Sequence, residues 1–124
     1  MIRVALVEDN PDNRMLARAI LEDLYDVDDY ESGADALAGL RLNPPGLVLL
    51  DISLPVMDGT EVLQHMREDP VLAALPVIAL TAHAMAGDRE RYLGMGFDAY
   101  VTKPIVDERI LLGEIARLLR RDVS

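Results

Sequence analysis

Glu8 and Asp9 follow one short apolar run, Asp51 follows a second, Thr81 a third, and Lys103-Pro104 follows a weaker one. Three carboxylates, a hydroxyl and an amine are a set that can do chemistry together if the fold gathers them. Carboxylates brought close repel and raise one another's pKa unless a cation offsets them. A hard divalent ion does so with oxygen ligands, in practice one or two carboxylates, waters and a phosphate oxygen. With no imidazole within the motif, this set suits Mg²⁺, or Mn²⁺, better than Zn²⁺. The Lys103 ammonium can pair with Asp51 before a reaction and with a phosphoryl oxygen after it, while the Thr81 hydroxyl donates to another oxygen. Asp51 is then the nucleophile, because a carboxylate can form an acyl phosphate. Taken singly, each residue has an ordinary explanation: Asp9 capping a helix, Asp51 satisfying a turn, Thr81 ending a strand, Lys103 solvated.

The elements that must position these residues are legible in the pattern. Ile2–Val7, Leu47–Leu50 and Val77–Leu80 are rich in Val, Ile and Leu without polar alternation, as in strands buried on both faces. Weaker strands fit Val27–Tyr30 and Ala99–Thr102. Between them, helical patterns fit Pro11–Leu24, Ala34–Leu42, Gly59–Arg67, Ala86–Met95 and Glu108–Arg120. The first is expected to bury Leu16, Ala17, Ile20, Leu21 and Leu24, with Asn10 as N-cap and Pro11 at the first helical position. The last is expected to bury Ile110, Leu111, Ile115, Leu118 and Leu119. Five strands alternating with five helices predict an α/β, doubly wound, five-stranded parallel sheet with right-handed crossovers. Ligands of such a sheet bind beyond the carboxyl ends of the strands, which is where the chemical residues stand.

Composition narrows the function classes. The 124 residues fit one domain with its own core, and 51% apolar with 27% charged residues argues against a disordered or fibrous chain. The absence of cysteine removes disulfides, thiolate metal sites and cysteine nucleophiles. A net charge of −10 argues against direct nucleic-acid binding, which needs clustered Lys and Arg. The opening apolar run is too short for a signal sequence or a membrane span, so a cytoplasmic chain without a membrane anchor is expected. The last helical pattern stops four residues before the end, so no output domain is expected within residues 1–124.

The stretches VEDNPDNR, LLDISLPVMDGTEVLQHMR, LTAHAMAGDRERYLGMGFDAY and VTKPI, in this order, resemble the bacterial two-component response-regulator receiver domains over nearly the whole chain. The variants most similar are the stand-alone regulators and the receivers of hybrid histidine kinases. The resemblance implies a flavodoxin-like (βα)5 fold with strand order 2-1-3-4-5. It implies phosphorylation of Asp51 and an acidic pocket of Glu8, Asp9 and Asp51, in which Asp9, Asp51 and the backbone carbonyl of Ser53 ligate Mg²⁺ and Glu8 acts through water. It further implies a switch in which Thr81 moves toward the phosphoryl group and Tyr100 turns inward, and a Lys103-Pro104 bond that is usually cis in the family. Ser53 and His83 stand where receivers vary and should tune the lifetime of the phosphorylated state. His83 is read first as a surface residue and second as one that positions water, whereas Tyr100 is read first as part of the switch and second as a half-buried edge-strand aromatic. His65 reads as solvent-facing and without chemistry. The turn before the second strand lacks the glycine usual there, which leaves that strand's register open.

The function implied is a phosphoacceptor switch and not a classical enzyme. Its donor is a histidine kinase or histidine phosphotransfer protein, and the surface of the fourth helix, fifth strand and fifth helix addresses a downstream protein. A monomer or weak homodimer is expected. A phosphorelay shuttle, or a receiver cut from a hybrid kinase, is an alternative within this reading. A Mg²⁺-dependent phosphohydrolase with an aspartyl-phosphate intermediate is a second class, weakened by Ser53 where such hydrolases commonly carry an acid. A dinucleotide-binding domain is disfavoured, because EDNPDN stands where a glycine-rich turn would approach pyrophosphate.

Overall fold

The unbroken apolar runs form the middle of one parallel sheet. The computed structural model describes residues 1–82 and 85–123, the last three of these by backbone alone. Along the chain come β1 (Arg3–Val7), α1 (Pro11–Leu21), β2 (Asp26–Tyr30), α2 (Gly33–Leu42), β3 (Leu47–Asp51), α3 (Gly59–Glu68), β4 (Val77–Thr81), α4 (Asp88–Met95), β5 (Ala99–Thr102) and α5 (Glu108–Val123). All neighbouring strands are parallel, in the expected order β2-β1-β3-β4-β5.

Alternation along each strand divides the core into two layers. Ala5, Val7, Val48, Leu50, Val77 and Ala79 face α2, α3 and α4, where Leu40, Val62, Met66, Tyr92 and Phe97 close over them. Val4, Leu6, Leu47, Leu49, Ile78 and Leu80 face α1 and α5, against Leu21, Leu111, Ile115 and Leu118. Both faces being covered explains why these strands carry no polar alternation.

Two helices bury less than their patterns predict. The first ends at Leu21, where the amides of Leu24 and Tyr25 turn back to the Leu21 carbonyl at 3.0 and 2.9 Å. Leu24 therefore lies past the last turn and is exposed, and Leu16 sits on the flank, exposed as well. Ile110 is exposed too, because a step of 3.6 residues per turn carries it about 100° away from Leu111 and off the buried stripe. The fourth helix starts at Asp88, after Gly87 at φ 87°, a left-handed conformation that suits glycine.

The register left open by the unusual turn is fixed with Val27 opposite Val4 and Tyr30 opposite Val7. Arginines secure this acidic edge strand: Arg3 to Asp28 at 3.1 Å, and Arg18 to Asp29 at 3.3 Å. Because every strand runs the same way, the carboxyl ends of β1, β3, β4 and β5 open on one side of the sheet.

Candidate functional site

β1 runs directly into Glu8, whose amide donates to the Tyr30 carbonyl at 3.0 Å. The turn that follows is fixed by Asn10, whose side chain accepts from the amides of Asp12 and Asn13 at 2.9 and 3.1 Å, with Pro11 opening α1 as expected. β3 delivers Asp51, and the Ser53 amide donates to its Oδ1 at 3.0 Å. Behind it α3 starts at Gly59, where a Cβ would overlap the Asp51 carbonyl oxygen, so only glycine lets the helix begin this close. β4 ends in Thr81, whose carbonyl accepts from the Lys103 amide at 2.7 Å, tying the segment after β5 to the site. The Lys103-Pro104 bond is cis. The Lys103 ammonium lies 2.9 Å from Glu8 Oε1 and 3.1 Å from Asp51 Oδ2.

Glu8, Asp51 and Thr81 are 1%, 2% and 0% exposed, whereas Asp9 is open to solvent. Carboxylate oxygens of Glu8, Asp9 and Asp51 all lie within 4.8 Å of one another. Burial, then hydrogen bonding to Asp51, pushes the Glu8 carboxyl up to about 7 against the opposing pull of Lys103. For Lys103 burial works to lower the pKa, but Glu8 and Asp51 outweigh it and hold the ammonium above its ordinary value. One ammonium among three acids leaves negative charge in excess, and all the side-chain donors facing it are hard oxygens. That donor set fits Mg²⁺ or Mn²⁺.

The fold thus brings together Glu8, Asp9, Asp51, Thr81 and Lys103. The sequence pairs Lys103 with Asp51; in the fold the amine is shared, with Glu8 at the shorter distance. Ser53 is exposed beside Asp51. Tyr100 is half-buried on β5, and alternation puts it on the same face of the sheet as Thr81. Its ring stacks on Tyr92 of α4, with centroids 5.8 Å apart and planes at 21°, and Tyr92 in turn meets Phe97 edge-on at 6.0 Å. His65 is exposed on α3. His83, with Ala84 and Ser124, lies outside the described residues. A cleft of about 450 Å³ between α3 and α4, lined by Thr60, Leu63, Gln64, Arg67 and Met95, lies apart from the acids. Arg14 was not singled out from sequence, although its Nη1 donates to the Glu8 carbonyl at 3.0 Å. The available signal was an arginine one turn into the helix that follows an acidic pair.

Known proteins carry the same organisation. A response regulator receiver domain family matches residues 4–114. The chain is 43% identical over 108 residues to the signal transduction histidine-protein kinase BarA of Escherichia coli K12, covering 86% of this chain and only 12% of that kinase. It is 42% identical over 109 residues to the polar-differentiation response regulator DivK of Brucella ovis, covering 87% of this chain and 89% of that regulator. Among solved structures, the signal receiver domain of a histidine kinase from Syntrophus aciditrophicus superposes with a TM-score of 0.86 at 31% identity, covering 97% of this chain and 91% of that one. The receiver domain of sensor histidine kinase PA1611 from Pseudomonas aeruginosa, described with magnesium coordinated in its active-site cleft, superposes at 0.80 with 35% identity, covering 97% and 95%. With this sheet order, this strand-end cluster and a family match over most of its length, the chain belongs to the response regulator receiver domains.

Proposed function

We propose that this receiver works as a Mg²⁺-dependent phosphoacceptor switch in which Asp51 takes a phosphoryl group from a histidine kinase or histidine phosphotransfer protein. The observation that carries this reading is the Lys103 ammonium held between Glu8 and Asp51 at the buried end of β3. In the transfer, an Asp51 carboxylate oxygen forms the bond to phosphorus as the phosphorus–nitrogen bond of the donor phosphohistidine breaks, its electron pair returning to the imidazole. Lys103 orients the carboxylate beforehand and afterwards pairs with a phosphoryl oxygen; the Thr81 hydroxyl donates to another. Asp9, Asp51 and the Ser53 carbonyl would hold the ion, with Glu8 contributing through water. When bound there, it would supply positive charge to offset the acids and the incoming phosphoryl oxygens.

Movement of Thr81 toward the phosphoryl group opens space on the α3–α4 face of the sheet, where Tyr100 stands. The rotation of Tyr100 changes the surface formed by α4, β5 and α5, which addresses a protein partner. Ser53 and His83 set the lifetime of the acyl phosphate. The magnesium described for the PA1611 receiver supports the choice of ion. A kinase matched over 12% of its length and a regulator matched over 89% support two settings, a receiver within a kinase and a stand-alone regulator.

The test is intact mass after incubation with acetyl phosphate, with and without Mg²⁺, on wild type and Asp51→Asn. A Mg²⁺-dependent gain of one phosphoryl group is expected in wild type and none in the variant. A label that survives in Asp51→Asn assigns the acceptor elsewhere. No label from acetyl phosphate or from a phosphorylated kinase overturns the phosphoacceptor reading.

A further inference from the structure

Leaving β1, the chain must hold two acids, Glu8 and Asp9, beside Asp51 against their mutual repulsion. Lys103 reaches Glu8 and Asp51 but not Asp9. Asp9 is exposed, so its place depends on the backbone that carries it. The Glu8 carbonyl belongs to the peptide plane joining Glu8 to Asp9, and the orientation of that plane directs both side chains. Arg14 donates to this carbonyl at 3.0 Å from a side chain that is 17% exposed. The rest of its guanidinium pairs with Asp29 at 3.8 Å, at the end of β2, and with Glu31 just beyond it at 3.4 Å. Its own position is fixed, because the Arg14 amide makes the first helical bond of α1 to the Asn10 carbonyl at 2.9 Å, within the turn that Asn10 and Pro11 set.

We infer that Arg14 is a positioning residue for the ion site: it clamps the Glu8–Asp9 peptide to the end of β2 and so holds Glu8 and Asp9 facing Asp51. This rests on reading the acidic cluster as an ion site. An alternative role as a plain helix-to-strand ion pair has an internal comparison in Arg18. That residue also joins α1 to β2, through Asp29 at 3.3 Å and the Val27 carbonyl at 3.3 Å, yet touches no part of the cluster. The sign of the effect separates positioning from simple charge. Deleting a positive charge near three acids tightens cation binding through space, whereas losing the clamp weakens it.

The test uses the full chain and Mn²⁺ as the probe, with free ion measured by electron paramagnetic resonance, for wild type, R14A, R14K, R14Q and R18A. Hydrogen exchange at the Asp9 and Asn10 amides is followed in ion-free protein. R14A is expected to weaken Mn²⁺ binding about tenfold or more, as loss of a group that orients a ligand commonly does, and to speed exchange at both amides. R14K should recover part of both effects, and R18A should change neither. Wild-type affinity or tighter in a folded R14A overturns the inference. If R14A does not fold, R14K and R14Q are judged against wild type by the same criteria. A wild type that binds no Mn²⁺ overturns the ion-site reading and this inference together; normal binding that is indifferent to Arg14 overturns only the inference.

Discussion

Glu8 and Lys103 set the charge balance of the site. Burial pushes the Glu8 carboxyl up to about 7, and the lysine stands 2.9 Å from it, one amine among three acids. The same lysine lies 3.1 Å from Asp51, so a phosphoryl group taken up there, as proposed, would compete directly for its ammonium. Under the proposed function, that competition would give Lys103 a role in transmitting the reaction as well as in orienting the acceptor. Lys103→Ala is therefore expected to keep most of its Mg²⁺ affinity and still accept a phosphoryl group, while the Tyr100 ring resonances no longer shift on phosphorylation. A variant that loses its native circular dichroism would instead make Lys103 a structural residue, because the two buried acids it separates would then repel without offset.

The element that carries Asp51 forward into α3 is held by local chemistry. Asp58 caps α3: its Oδ1 accepts from the Thr60 hydroxyl at 2.6 Å and the Glu61 amide at 3.0 Å. The Thr60 bond, joined by the backbone donors of Glu61 and Thr60, outweighs burial and holds the Asp58 carboxyl below its ordinary value. A carboxyl lowered by folding stabilises the fold above its unfolded pKa, about 4, and that contribution is lost as pH falls through the folded value. Asp58→Ala should cost about 1 kcal/mol at neutral pH. In urea unfolding the deficit should shrink at pH below about 4; an equal deficit at both pH values would show that the cap does not depend on the charge. Just before the cap, Val56 adopts φ 68°, and the Met57 amide returns to the Pro55 carbonyl at 2.7 Å. This tight three-residue turn is a strained one for a β-branched side chain.

For the whole molecule, the three acids meet only when β1 and β3 are assembled, so ion binding at this cluster would be linked to folding. Mg²⁺ at ten times its Kd should add about 1.4 kcal/mol to unfolding and raise Tm by a few degrees, an increase that Asp9→Ala should remove. The opposite end of the sheet is tied by Arg67, which donates to the carbonyls of Ala73, Leu75 and Gly96 at 3.0, 2.7 and 2.9 Å and pairs with Asp98 at 3.1 Å. Among the described residues no helix is long and apolar enough to cross a membrane. Much of this was legible without coordinates: apolar runs of strand length bounded by acids, a hydroxyl and a lysine dictate a parallel sheet with its chemistry at the carboxyl ends, because side chains buried on both faces must be apolar while strand ends meet solvent. Helix ends and flanks were less legible, as with Leu24 past the last turn and Ile110 off the stripe, because periodicity records which residues can be buried and not where neighbouring elements stop covering them. What only the tertiary structure decided are the long-range pairings: Lys103 with Glu8 as well as Asp51, Tyr92 beneath Tyr100, and Arg14 on the Glu8 carbonyl. Each joins groups that sequence spacing leaves unconnected, and each depends on the angle and distance at which packed elements meet.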